Sequence, residues 1–566
     1  MDKTLIRRTE PRDTAQIYLP DGRTYEGPVG TRLESFIKVA CTQKEAPVVA
    51  ALVNREIRDL CAPILHDSEV IPLTTATSDG LRILQRSLSF LLIVAAKELF
   101  PDTQVLVDHS LTLSGLYCRV IGRDPLTPDE IGALESRMRE IAEADERIEK
   151  ERLPLDQAKA VFAAQGYADK VRLLDYRSKD HLSVYRLRGI TDYFYGYLVP
   201  ATGYLRTFAL QSYPPGFILR FPRRENPLAL PSFHDSPRLA AVFSEHVTWM
   251  DLLGIGSVAA LNEAVESQKI REAILVSEAL HEDRIAGIAH NIADLRPNVR
   301  LVLIAGPTSS GKTTFSKRLA VQLLAHGVHP FTLAMDDYFV DRHETPVDSS
   351  GAYDFESLDA LDRGLLNRQL LQLFRGEEVV LPHYDFRLGR REDGPKVRLK
   401  DDQIIIAEGI HGLNPELLPD LPAGSVYRVY ASALTQLNLD RHNRIPTTDT
   451  RLLRRLVRDA RTRGYDAAST ISRWNSVTRS EAMRIFPFQE NADAMFNSSL
   501  VYELAVLKPY AEPLLRQVEP GTLEYVEAKR LLAFLQWFLP CKPDLVPDNS
   551  ILREFIGDSI LADYTP

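Results

Sequence analysis

The sequence predicts a multidomain chain of α/β and α+β units, with a doubly wound parallel sheet in its C-terminal half. Three observations carry that expectation. The 566 residues are too many for one core and suit three or four domains. From Asn298 the pattern runs strand, Gly-rich loop, helix, strand, the order of a parallel α/β sheet. Near the N-terminus, a hairpin, a helix and further alternating segments make a small α+β unit instead.

The elements follow in order. Residues 1–13 are a polar leader. Residues 14–75 hold "TAQIYLPDGRTYEGPVGTRLESFIKVA", read as a hairpin around Asp21 and Gly22 and a helix opening near Thr31. About 60 residues suffice for a small domain that folds alone. Residues 77–224 begin with a helical pattern from Asp79 to Leu99 and end in aromatic-rich strands such as "YFYGYLV". Residues 225–297 read as a helical connector packed against a neighbour, and 298–515 as the parallel α/β domain. Residues 516–566, with "EAKRLLAFLQWFLP", read as a helical extension capping that domain. No internal repeat or low-complexity segment is visible.

Composition is that of a globular protein, 45% apolar and 26% charged, and the net charge of -9 excludes a broad non-specific nucleic-acid surface while leaving room for a local basic patch. Cys41, Cys61, Cys118 and Cys541 are scattered with no CxxC pair, so neither a zinc knuckle nor a disulfide framework is indicated. The longest apolar run, "FLLIVAA" at 90–96, is too short to span a bilayer, and no apolar stretch follows the charged N-terminus. The expected location is the cytoplasm.

"VRLVLIAGPTSSGKTT" sets a buried strand before Gly306 and a helix after Lys312, the context a GxxxxGK[ST] phosphate loop requires. Gly306 and Gly311 let backbone N–H groups turn inward around phosphate oxygens. The helix adds its positive end, Lys312 neutralises charge and Thr313 offers a hydroxyl to Mg2+. The candidate nucleotide-binding residues are Gly306, Thr308, Ser309, Ser310, Gly311, Lys312, Thr313 and Thr314, with ATP and Mg2+ as the implied cofactors.

The next strand, "FTLAM", ends at "DDYF", and in a doubly wound sheet such ends flank the ligand crevice. Asp336 is placed there to take a proton from an attacking hydroxyl, while Asp337 points elsewhere because successive side chains diverge. Taken alone, an acidic strand end also suits a helix cap. "QIIIAEG" delivers Glu408 to the same edge, where it can hold a metal directly or through water. In "DTRLLRRLVRDARTRGYD", Arg451, Arg454, Arg455 and Arg458 share one helix face, suited to a transferring phosphoryl group or, more plainly, to a solvated basic helix.

With "GPTSSGKTT", "MDDYF", "YDFESLDALD", "HYDF", "EGI" and "DTRLLRRLVRDARTRG" in this order, about 200 residues resemble the uridine kinase and phosphoribulokinase family of P-loop kinases, which have the P-loop NTPase fold. The resemblance implies that Asp336 activates a sugar hydroxyl and that Glu408 and Thr313 serve Mg2+. It also implies that Arg455 and Arg458 hold ribose hydroxyls and phosphate, and that Arg463 is the mobile-lid arginine. The base-reading positions depart from uridine kinases: the histidine expected three residues after "YDF" is Gly389, an arginine after the lid Arg-Gly pair is Tyr465, and the ribose-binding aspartate is Glu356. Phe355, Tyr384 and Phe386 remain available to stack on a ring or sugar. The implied reaction is phosphorylation of a nucleoside or ribosyl 5′-hydroxyl.

Residues 14–75 resemble a TGS domain, the β-grasp module of threonyl-tRNA synthetase, and 77–224 resemble the editing domain that follows it there. "LQRSLSFLLIVAAKELFP" and "ITDYFYGYLVPATGYLRTF" carry the match. The family's HxxxH and CxxxH positions are Arg86, Phe90, Phe194 and Leu198 here, none a zinc ligand, so neither zinc nor editing chemistry is expected. The resemblance implies a structural or ligand-sensing module and leaves RNA contact open. Lone His383, His411 and His442 read as hydrogen-bonded structural residues. The alternative to an enzyme is a nucleotide-gated RNA- or ribosome-associated regulator with slow turnover.

Overall fold

A five-stranded parallel sheet carries the phosphate loop, its strands ordered His329–Ala334, Gln403–Glu408, Leu301–Ala305, Val426–Ser432, Ala494–Asn497 in the computed structural model. The model describes residues 12–41, 46–347, 351, 353–385, 387–435 and 437–565, so most of the leader and Phe386 lie outside the described residues. The chain divides into two units. One comprises Met1–His234, Asn438–Arg444 and Val518–Trp537; the other comprises Asp235–Leu437, Ile445–Gln517 and Phe538–Pro566.

In the second unit, the strand Leu301–Ala305 is buried throughout, as its uninterrupted apolar sequence requires of a central parallel strand. Ile304 and Ala334 both align with Glu408, so Gly306, Asp336 and Glu408 emerge together at the C-terminal ends of adjacent strands. The helix Lys312–Ala325 packs along Ile270–Asp294, where the buried Arg318 guanidinium bonds Glu278 at 3.4 Å and Glu282 at 2.5 Å. The stretch read as a connector is thus an integral layer of this unit.

The first unit opens with a mixed sheet ordered Thr24–Pro28, Thr14–Tyr18, Ser68–Thr74, Val48–Val53, Glu56–Asp59. Its hairpin turns at Gly22, whose φ of 83° is readily reached only without a Cβ, and its helix, Leu33–Ala40, buries Leu33, Phe36 and Ile37. An antiparallel sheet, Ala209–Tyr213, Gly216–Arg220, Gly115–Ile121 and Gln104–Leu111, follows with the helix Ser78–Leu99, started by the Thr77 side chain accepting from Gly80 N. Every residue from Ser87 to Ala96 is buried, so the apolar run inside this helix is a core helix surrounded on all sides. Among the described residues no helix is long and apolar enough to cross a membrane.

Two segments depart from the expected order. The helix Leu523–Leu535, expected to cap the parallel domain as part of 516–566, belongs to the first unit with the rest of Val518–Trp537, while Phe538–Pro566 joins the second. The hairpin Asn438–Arg444 leaves the sequence span of the α/β domain for the first unit. There Asp440 pairs with Lys170 at 2.9 Å, and His442 Nδ1 meets Asp192 Oδ2 at 2.6 Å in full burial. Asp192 also pairs with Lys170 at 2.8 Å; Lys170 and His442 together outweigh its burial and hold its carboxyl down to about 2. A buried charge needs such partners, and local sequence pattern does not reveal where they come from.

Candidate functional site

The loop between strand and helix is held by close approach. A Cβ on Gly306 would fall 1.9 Å from the Ala431 carbonyl oxygen, and one on Gly311, at φ 83°, would fall 2.5 Å from Ile551 Cγ2. Lys312 Nζ donates to the Gly306 and Pro307 carbonyls at 2.9 and 3.0 Å. Burial pulls its ammonium below the usual lysine range, against the opposing pull of Glu408, Glu554 and Glu481. The Ser309 and Ser310 hydroxyls are buried without a protein partner among the described residues, and Ser309 takes a left-handed φ of 56°.

Thr313 Oγ1 donates to Glu408 Oε1 at 3.0 Å, and Glu408 Oε2 is buried with no hydrogen-bond partner among the described residues. Burial is the main cause raising the Glu408 carboxyl; Lys312 and Thr313 oppose it, and Glu554 and Asp336 add to it. A buried carboxylate oxygen left without a donor beside a threonine hydroxyl is a hard oxygen pair, and that donor set fits Mg2+. Among the described residues no cluster of three or more His, Cys, Asp or Glu side chains forms a preassembled metal cage.

Asp336 and Asp337 lie in one 3-10 turn, Met335–Tyr338, and have separate employment. Asp337 Oδ1 accepts from Tyr384 N at 3.0 Å and faces His383 Nδ1 at 3.2 Å, so it braces the neighbouring strand Val379–Asp385. The Asp336 side chain makes no hydrogen bond or ion pair among the described residues; only its backbone carbonyl is engaged, accepting from Phe339 N at 3.4 Å. Its side of the turn is solvent-accessible, and desolvation by its surroundings followed by the charge of Asp337 raises its carboxyl, with Lys312 opposing. It is an unengaged carboxyl at a strand end on the same sheet edge as the phosphate loop.

Four of the five arginines of Thr447–Thr462 split into two pairs. Arg451 and Arg454 are fully buried behind the loop: Arg451 pairs with Glu481 at 2.5 Å and donates to the Thr308 carbonyl at 3.0 Å, while Arg454 pairs with Glu503 at 2.6 Å and reaches the Ser309 and Ser498 carbonyls. Glu481 in turn accepts from Thr308 N at 2.9 Å. These two arginines position the loop backbone, contrary to a stripe facing substrate. Arg455, Arg458 and Arg463 instead share Asp459, at 3.2, 2.8 and 3.7 Å, so three guanidiniums meet one carboxylate and positive charge remains in excess. Burial lowers Arg455 from its usual range; Asp459 opposes this, and Arg458 and Arg463 add to it.

On the acceptor side the expectations fare unevenly. Tyr384 is buried edge-on against Phe339 with centroids 5.6 Å apart, a core residue and not an open stacking platform. Phe355 keeps partial exposure, edge-on to the same Phe339 at 6.1 Å. Glu356, raised chiefly by burial, lies 3.9 Å from Arg484, and its carbonyl accepts from His411. Tyr465 is exposed under Arg473, whose guanidinium sits 4.6 Å from its ring centre. Gly389, at φ 69°, lies beneath Arg342: a Cβ there would fall 2.6 Å from the guanidinium carbon, so no histidine could occupy the position without displacing Arg342.

Sequence reasoning missed Glu554. It lies in the short turn Arg553–Ile556, and its Oε2 accepts from Thr314 N at 3.3 Å and Thr314 Oγ1 at 3.1 Å, at the N-terminus of the phosphate-loop helix. Lys317 Nζ holds the same C-terminal segment through the Leu561 and Ala562 carbonyls at 2.7 and 2.8 Å. No motif marks Glu554, and only chain return brings it here. For Asp459 a signal existed, an acid embedded in an arginine run.

Residues 301–504 match the model of the Phosphoribulokinase / Uridine kinase family. The C-terminal region is therefore of the P-loop kinase type. The N-terminal half is similar to threonine–tRNA ligases. It is 36% identical over 200 residues to that of Laribacter hongkongensis, covering 34% of this chain and 31% of the relative, and 33% identical over 196 residues to that of Magnetococcus marinus, covering 34% and 30%. The chain thus spans about 30% of the length of these curated relatives. Solved structures similar to the chain include a possible uridine kinase from Bacillus stearothermophilus, 28% identical, covering 26% of this chain and 79% of that one at a TM-score of 0.22. Another is a putative fructose transport system kinase from Silicibacter sp. TM1040, 19% identical, covering 38% and 98% at a TM-score of 0.26.

Proposed function

We propose that the protein is an ATP-dependent phosphotransferase whose acceptor is the 5′-hydroxyl of a nucleoside or similar ribosyl compound. One observation carries the reading: Lys312, the Thr313–Glu408 pair and an unengaged Asp336 converge at the ends of adjacent parallel strands. The acceptor O–H gives its proton to the Asp336 carboxylate as its oxygen bonds to the γ-phosphorus of ATP. The bond from that phosphorus to the β-γ bridging oxygen breaks, and ADP leaves. Lys312 and the surplus charge of Arg455, Arg458 and Arg463 stabilise the equatorial and leaving oxygens. Glu408 and Thr313 would hold Mg2+, which would neutralise charge on the phosphates.

Pyrimidine selectivity is left out of the proposal, because Arg342 stands over Gly389 where uridine kinases have an imidazole. The reading is tested by incubating the protein with ATP, Mg2+ and a nucleoside panel. Acceptor-dependent ADP release is expected, and Asp336→Ala should keep ATP binding while losing it; no acceptor-dependent release from any nucleoside sinks the reading. A second reading, a nucleotide-gated RNA- or ribosome-associated regulator with slow turnover, is favoured by the Glu554 carboxylate on Thr314 and by the synthetase-like N-terminal half. It predicts that tRNA or ribosomes change ATP affinity, with little effect from Asp336→Ala.

A further inference from the structure

The first unit contains a cavity of ≈ 350 Å3 between the Glu56–Asp59 strand, the Ser78–Leu99 helix, the Tyr195–Tyr197 turn and the Leu523–Leu535 helix. Its volume is at the lower end for small-molecule sites, about 300 to 1,000 Å3. Six cationic side chains line it, Arg55, Arg58, Arg82, Arg86, Lys529 and Arg530, against the acids Glu56 and Asp79. Most of these charges are answered locally. Arg82 pairs with Asp79 at 2.8 Å and with Glu527 at 3.0 Å, Arg530 with Glu527 at 2.7 Å, and Arg58 and Lys529 with Glu56 at 2.7 and 2.9 Å.

Arg86 is different. Its Nε donates to the Tyr197 carbonyl at 3.3 Å, and among the described residues it has no carboxylate partner. The guanidinium lies against Gly196, where a Cβ would fall 2.6 Å from its carbon, so the glycine, at φ 123°, is what makes room for it. Burial, with Arg82 and Arg530 adding to it, pushes the Arg86 guanidinium down to about 10. The three neighbours that share its part of the sequence pattern go elsewhere: Phe90, Phe194 and Leu198 are buried core residues, with Phe90 and Phe194 edge-to-face at 5.5 Å. Ile57, Ile83, Val526 and Ala533, together with Tyr195 and Tyr525, give the rest of the wall an apolar or aromatic surface.

A planar guanidinium without a counter-ion, seated at an apolar cavity, is complementary to a carboxylate or phosphate on an apolar body. We propose that this cavity binds a small organic anion, a carboxylate or a phosphate monoester carried on a ring, with Arg86 as its anion-reading residue and the Leu523–Leu535 helix as one wall. The site needs a helix that lies far along the chain from Arg86, so occupancy would hold that helix to the N-terminal unit.

The test is calorimetric titration of the full-length protein with phenyl phosphate and with phenylacetate, inorganic phosphate serving as the control for charge alone. At least one aromatic anion should bind more tightly than inorganic phosphate, and whichever does identifies the head group. Arg86→Gln should weaken that binding at least tenfold, and Ala533→Trp, which fills the cavity and leaves the charge, should weaken it comparably, while both variants keep ATP affinity. If Arg86→Gln does not fold, Ala533→Trp decides alone. Binding of neither aromatic anion at 10 mM, or binding that survives the cavity-filling substitution, overturns the proposal.

Discussion

The contact between Glu554 and Thr314 yields a quantitative prediction. The carboxylate accepts from the amide and the hydroxyl of Thr314 at 3.3 and 3.1 Å, donors at the start of the phosphate-loop helix that an incoming nucleotide phosphate would use. Both bonds are longer than the 2.7–2.9 Å typical of charge-assisted pairs, so the contact sits at the weak end of such bonds, about 1.5 kcal/mol. The partial positive end of the helix dipole adds to the attraction in the same sense. At ~1.4 kcal/mol per decade, displacing the carboxylate raises the apparent Kd for nucleotide about tenfold. Glu554→Gln, which keeps the shape and removes the charge, should therefore tighten ATP binding by about that factor in equilibrium titration at saturating Mg2+. The gain should shrink in high salt as the charge is screened. Unchanged or weaker ATP binding in Glu554→Gln would refute the competition between carboxylate and phosphate.

Further outcomes follow from the same geometry. Gly306→Ala drives a methyl against the Ala431 carbonyl, and loss of ATP binding is expected by titration; retained affinity would mean the loop can move aside. Desolvation and then the charge of Asp337 raise the Asp336 carboxyl, so the acid limb of kcat should lie above the usual aspartate range, and Asp337→Asn should move it to lower pH. A limb that stays in place removes Asp336 as the titrating base. His246 is buried and held down to about 4 by desolvation, so its neutral form stabilises the fold above its unfolded value near pH 6.5 and that stability is lost as pH falls toward 4. At ~1.4 kcal/mol per unit, His246→Phe should lose about 2 kcal/mol less than the wild type between pH 7 and 5, as read from urea midpoints.

How much of this was legible in the sequence depends on the range of the signal. The phosphate loop is a local signature, because a Gly-rich turn between an apolar strand and a helix has one physical use for its inward N–H groups. Asp336 and Glu408 were legible because parallel strands end on the same edge, and the register of Ala334 and Ile304 with Glu408 makes that edge common. The arginine run shows where pattern stops. Periodicity puts Arg451, Arg454, Arg455 and Arg458 on one helix, yet whether a guanidinium faces solvent or a buried acid depends on Glu481 and Glu503, which lie 30 and 49 residues away. Tyr384 likewise reads as a free aromatic until Phe339 packs against it.

The sequence alone determined the order of the elements, the nucleotide-gripping loop and the chemical types at the strand ends, since each rests on contacts between near neighbours in the chain. Tertiary structure alone decided that Leu523–Leu535 and Asn438–Arg444 join the N-terminal unit, that Arg86 faces a cavity while Phe90 fills a core, and that Glu554 reaches Thr314. Each of these is a long-range pairing. It is selected by burial and charge compensation over the whole fold, and no local window of sequence carries that balance.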